Sequence, residues 1–192
     1  DVPPGSVLYI PGGRTAESGP SILHRFRNVN GMRRSKQFIE LHEAPQRIFA
    51  LQRPALFFLD DFVATGKQIS DYWRDVVSQL VPEYFPVYLG VVAAFPDGTR
   101  RVEDETPLTV LAVNELSSRN QLLGTANNTF TNPQKQTLHN YCSDWGNHPL
   151  GHGNVGALVS FSHGTPNNTP SVIRGSERQR PRHGILPGWE DL

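Results

Sequence analysis

A single cysteine, Cys142, rules out an internal disulfide and suits a reducing compartment. No run of 18 or more apolar residues exists, so a membrane-spanning helix is not expected. The start carries no signal-peptide pattern, and a cytoplasmic protein with no membrane partner is the expectation. In that setting the Asn127-Asn128-Thr129 and Asn167-Asn168-Thr169 triplets are coincidental matches to a glycosylation pattern. Charge of one sign is lacking too, since 18 basic residues balance 18 acidic ones. No internal repeat is evident, which removes solenoids. Methionine occurs once, at Met32, and the first residue is Asp1, so a piece of a longer polypeptide is expected.

Against these absences stands one dense stretch, Ala55 to Gln68. Leu56 to Leu59 is apolar without alternation, as in a strand covered on both faces of a parallel sheet. Asp60 and Asp61 follow, then a Thr65-Gly66-Lys67 turn. Ile69, Tyr72, Trp73, Val76, Val77, Leu80 and Val81 recur at helical spacing, which predicts a helix from about Lys67 to Val81, stopped by Pro82. A turn at the carboxyl end of a parallel strand is where ligands of open α/β sheets bind. The free N–H groups of the helix's first turn attract an anion there. Two acids beside such a cradle suit a sugar phosphate, with carboxylates on the hydroxyls and backbone N–H groups on the phosphate. The plainer alternative makes Asp60 a strand-end cap, Asp61 a solvated acid and Thr65 a helix cap.

A second anion cradle is predicted at Pro11-Gly12-Gly13, after the strand Ser6 to Ile10, running through Arg14, Ser18 and Gly19 into a helix from about Pro20. It is not a P-loop, because Pro20 stands where that motif requires Lys. The match of Asp60-Asp61 to the acidic strand of P-loop ATPases fails for the same reason. Cys142, Asp144, His148, His152 and His163 have no regular zinc spacing, and glycines at 146, 151 and 153 interrupt any helix that would align them. No metal site is expected from protein ligands alone.

The stretch resembles the ribose-phosphate signature of type I phosphoribosyltransferases: hydrophobics, two acids, two hydrophobics, then a Thr-Gly loop. The resemblance implies that Asp60 and Asp61 face the ribose hydroxyls of phosphoribosyl pyrophosphate and that Ala64, Thr65, Gly66, Lys67 and Gln68 wrap its 5-phosphate. It implies a pyrophosphate loop at Gly12, Gly13, Arg14, Ser18 and Gly19, and Mg²⁺ carried mainly on the ligand's oxygens. More of the chain is similar to a divergent branch, the phosphoribosyltransferase-like domain of predicted bacterial conflict (anti-phage) systems called PRTase-CE. Pro149 to Asn154, Ala157 to Phe161, Thr165 to Thr169 and Ser21 to Arg27 carry that similarity. Two residues depart from working salvage enzymes: Gln68 stands where Thr is usual, and Ala64 where the purine branch often has an acid.

Elements alternate strand and helix, which predicts an α/β fold: a single phosphoribosyltransferase-like domain over 1–192, with a mostly parallel twisted sheet flanked by helices. The Ala55 run predicts a strand over 55–60. Further strands are expected at 36–41, 87–95, 108–113 and 157–161, a short helix at 45–51, and partial helix within 120–145. Pro96-Asp97-Gly98 reads as a turn. The tail from Asn167, an irregular basic segment, is expected to be mostly loop.

The leading function is a phosphoribosyl-handling enzyme, transferring or hydrolysing the phosphoribosyl group, with a defence effector as one use. Alternatives are a non-catalytic module sensing a nucleotide or ribose phosphate, and a nucleic-acid-binding or protein-binding subunit of a defence complex. For the last, the runs Arg25, Arg27, Arg33, Arg34, Lys36 and Arg174, Arg178, Arg180, Arg182, His183 supply the charge.

Overall fold

The computed structural model describes residues 6–13, 18–32, 36–51, 54–143 and 148–174. The chain divides into two compact units, Asp1–Glu115 and Leu116–Leu192.

The first unit carries the predicted α/β architecture. Strands β1 (Val7–Pro11), β2 (Ala55–Val63), β3 (Val87–Ala94) and β4 (Thr109–Glu115) form one parallel sheet in that order. Helices α1 (Gly19–Val29), α2 (Ala44–Ala50), α3 (Lys67–Asp75) and α4 (Pro96–Glu105) lie between them in the chain. Leu8, Ile10, Leu56, Phe58, Leu89 and Val91 are buried in one cluster with Ile69, Trp73, Val77 and Val81. Phe58 meets the Trp73 ring edge-on at 6.2 Å. Each large side chain so buried contributes about 1.5–3 kcal/mol. In register with one another, Tyr9, Phe57 and Tyr88 form an aromatic row on the other sheet face, joined by Phe26 of α1.

The expected strand at 36–41 is reduced to a single parallel bridge, Tyr9 to Phe38. It nevertheless fixes topology. Tyr9 N–H donates to the Gln37 carbonyl at 2.8 Å, and Ile39 N–H donates to the Tyr9 carbonyl at 3.1 Å. A strand residue's N–H and C=O point to the same side, so the 37–39 segment flanks β1 opposite β2. The chain therefore steps outward from β1 to Phe38, then crosses back over β1 to β2. Strand order reverses between β1 and β2, which is where open α/β sheets bind ligands.

Three other expectations change. The predicted helix to Val81 ends at Val76, whose φ is −131°, and Val77–Gln79 continues as a 3₁₀ turn. Two adjacent β-branched residues favour that break, and Val77 and Val81 still reach the core. Pro96-Asp97-Gly98 opens α4 rather than a turn, with Pro and an acid in the first turn. β4 is an edge strand, and Val113 on it is 81% exposed.

The third change lies in the second unit. No sixth strand forms at 157–161 among the described residues; Ala157 and Phe161 each make one isolated antiparallel bridge, to Gln121 and Gly164. Helices α5 (Asn132–Ser143) and α6 (Ser171–Arg174) are the regular pieces of this unit. Its two sequence patterns are tied together through backbone: His152 N–H donates to the Asn167 carbonyl at 2.8 Å and Ala157 N–H to the Asn168 carbonyl at 3.0 Å. Gly151 sits at φ +78°, and a Cβ there would lie 2.4 Å from the Thr169 carbonyl oxygen. His148 and His152 rings are 6.3 Å apart, His163 stacks on Phe161, and Cys142 is buried. Asp144 and residues 175–192, with Arg178, Arg180, Arg182 and His183, lie outside the described residues.

Candidate functional site

Three pieces of the first unit meet at the β1/β2 switch point. The first is the acid pair. β2 runs on to Val63, beyond the predicted end at Asp60, so Asp60 and Asp61 lie inside the strand. Pairing with β1 stops at Pro11–Leu59, whereas pairing with β3 continues to Val63–Ala94. The acids thus occupy the β2 edge that β1 has just left.

The second piece is the turn after β1. Gly12 N–H donates to the Leu59 carbonyl at 2.7 Å, and a Cβ on Gly12 would lie 3.0 Å from the Asp60 Cβ. The Ser18 hydroxyl lies 2.6 Å from Asp60 Oδ1 and 2.8 Å from Asp61 Oδ1. Ser18 therefore bridges the two acids, a contact that the pattern of a Gly-rich turn does not disclose. Gly19 is buried, and a Cβ on it would stand 1.9 Å from the Gly12 carbonyl oxygen. Arg14 lies outside the described residues.

The third piece is the 64–68 loop. Gly66 adopts φ +72°, the left-handed region that favours glycine, and caps α3. Ser70 N–H to the Gly66 carbonyl, 3.0 Å, is the first helical bond. The N–H groups of Lys67, Gln68 and Ile69 thus precede the hydrogen-bonded ladder; that of Lys67 makes a long 3.4 Å contact with Thr65 Oγ1. In sequence, Gly66 suggests close approach of an anion. Its Cβ direction instead points at α4, 2.4 Å from the Gly98 carbonyl oxygen. Gly98 in turn abuts the Ala64 carbonyl, where a Cβ would lie at 2.3 Å. The two glycines fasten the loop onto α4, so Gly98 supports the site although its sequence context suggests only a turn. Lys67 pairs with Asp71, which Arg74 also holds at 2.7 Å. Gln68 is exposed and Ala64 is buried.

Electrostatics divides the acids. Asp60 is 3% exposed, and burial pushes its carboxyl well above the usual range. The neighbouring Asp61 charge adds to the rise, while the Ser18 hydroxyl and the Asp61 N–H, at 2.9 Å, oppose it. One hydroxyl proton cannot serve two carboxylates linearly, so a second proton on Asp60 fits the geometry. Bridged by one hydroxyl, the two carboxyls share a site, and Asp60 holds its proton more readily than an ordinary carboxyl does.

A raised folded-state pKa means the folded chain binds this proton more tightly than the unfolded one. Asp60 favours folding below the ordinary carboxyl range, and that contribution is lost as pH rises through its elevated folded-state pKa. Asp60→Asn mimics the neutral acid. It raises the melting temperature at pH 7–8, and the gain shrinks toward pH 4. A melting temperature unchanged across that range would show that Asp60 ionises normally.

A family model described as PRTase-CE matches residues 4–192. Among solved structures, an orotate phosphoribosyltransferase from Aeropyrum pernix is similar at 14% identity and a TM-score of 0.37. That alignment covers 57% of this chain and 59% of the other, so the chain spans less than two thirds of that enzyme's length. No curated protein matches.

Proposed function

We propose, from the premise that the chain belongs to the PRTase-CE family, that it binds phosphoribosyl pyrophosphate and transfers or hydrolyses its phosphoribosyl group. One observation carries the reading: the acid pair and the Gly12-Gly13 turn converge at the strand-order reversal, with the α3 amino terminus following the same strand.

Asp60 and Asp61 take the ribose hydroxyls as hydrogen-bond partners. The acid pair stabilises the positive charge that grows on the sugar as the bond to the leaving diphosphate breaks. The Lys67, Gln68 and Ile69 N–H groups hold the 5-phosphate at the positive end of α3. Backbone of Gly12 and Gly13 faces the diphosphate, with Arg14 supplying charge. For Mg²⁺, the described residues contain no group of three or more His, Cys, Asp or Glu side chains able to hold a metal ion. Mg²⁺ would be carried mainly on the ligand's oxygens, with few direct protein ligands. When bound, it draws charge from the leaving diphosphate.

Calorimetry with phosphoribosyl pyrophosphate and Mg²⁺, followed by a pyrophosphate-release assay, tests the reading. Saturable binding and Mg²⁺-dependent release are expected, and absence of binding removes it. Ser18 already occupies both acids, and Ala64 and Gln68 depart from salvage enzymes. These features favour a second reading, a ribose-phosphate sensor, for which binding occurs without release.

A further inference from the structure

A cavity of about 690 Å³ opens on the first unit between α1, the 38–42 segment and α3. Leu23, Phe38, Leu41, Tyr72 and Val76 give it apolar and aromatic walls, and Arg27 lines it. That volume falls within the range of small-molecule sites, which pair apolar walls with a few placed polar groups.

Arg27 is the informative member. Its guanidinium lies over the Phe38 ring, 5.8 Å from the centroid. Its Nε is buried with no hydrogen-bond partner. Its Nη2 has only a 3.4 Å contact with His24 Nδ1. That contact is weak, because His24 Nε2 already meets the Asn28 amide nitrogen at 2.8 Å and a neutral imidazole has one accepting nitrogen. A buried guanidinium N–H without an acceptor is costly, and an anionic oxygen is its best complement. Glu40, also lining the cavity, belongs to a local turn in which its own N–H donates to Glu43 Oε2 at 2.8 Å.

We infer that this cavity binds a flat aromatic ring bearing a carboxylate or phosphate, the ring against the apolar walls and the anionic group on Arg27. Neither acid lines the cavity, which meets the turn after β1 at Pro11 and Gly13, and the inference stands whether or not the chain handles phosphoribosyl pyrophosphate.

Titration of the full chain tests it, with a ribose-free aryl phosphate such as phenyl phosphate in one arm, aromatic carboxylates such as benzoate and nicotinate in a second, and inorganic phosphate in a third. One of the two ring-bearing classes saturates the protein, and inorganic phosphate at equal concentration does not displace it. Arg27→Gln weakens that binding by about tenfold or more. Arg27→Lys, which keeps the cation and guards against misfolding, also weakens it because the Nε donor is lost. Asp60→Asn with Asp61→Asn leaves it unchanged. Failure of both classes to saturate, indifference to both Arg27 variants, or loss in the double acid variant overturns the inference.

Discussion

Replacing Asp60 and Asp61 together with Asn abolishes pyrophosphate release, a loss of at least about 10³-fold, while the protein stays folded. Preorganised charge at a developing transition-state charge is commonly worth about 10²–10³-fold per group. The two acids also carry the hydroxyl contacts that orient the sugar. The single variants should separate. Asp60 is buried and holds its proton far above the usual range, so Asn preserves its neutral character and costs less. Asp61→Asn removes the acid that is less deeply buried, at the strand edge β1 has left, and costs more. Folding does not confound the comparison, because Asn at 60 relieves a buried carboxyl. Wild-type release by the double variant would remove the ribose assignment altogether. A larger loss from Asp60→Asn than from Asp61→Asn would overturn the neutral role given to Asp60.

Gly19→Ala lowers the melting temperature by roughly 6–12 °C, corresponding to about 3 kcal/mol in a chain of this size. The sign runs against local expectation, since Ala in place of a helical Gly ordinarily stabilises by about 0.5–1 kcal/mol. Packing reverses it. The new Cβ would stand 1.9 Å from the Gly12 carbonyl oxygen and 2.7 Å from the Gly12 nitrogen. Those are backbone atoms of the turn that is anchored to Leu59 by a 2.7 Å hydrogen bond. Neither partner can rotate away as a side chain could, so α1 must retreat from the turn, drawing Ser18 off the acids. Gly31→Ala is the control. Gly31 has a left-handed φ of +67°, and a Cβ added there would meet nothing within 4 Å, so it shows strain alone, about 1–2 kcal/mol. Circular dichroism melts of both variants decide the matter; an unchanged or raised melting temperature for Gly19→Ala shows that the two backbones do not meet this closely.

Legibility differs with the range of the interaction involved. β2, β3 and the amino-terminal half of α3 are readable because apolar runs and 3.6-residue spacing are local patterns. α4 is not, since Pro-Asp-Gly serves a turn and a helix's first turn equally well. The 36–41 segment makes less strand than its residues suggest: apolar side chains there suit pairing, but among the described residues only Tyr9 offers it a bridge partner. At 157–161 the β-branched and aromatic residues find no ladder, only single bridges.

For the site, residue types alone identify the two acids, the Thr-Gly loop and the Gly-rich turn, and the similarity of the motif points to a ribose phosphate. The chain by itself also determines the parallel α/β class, through unbroken apolar strands alternating with helices. Tertiary structure decides the rest. It places the strand-order reversal between β1 and β2, puts the Ser18 hydroxyl on both carboxylates, turns Gly66 and Gly98 toward each other, and buries Asp60 deeply enough to favour its proton. The reason is that a carboxylate's charge state and a glycine's necessity depend on atoms tens of residues away in sequence. Such contacts follow from which strands pair, and no local periodicity encodes that pairing.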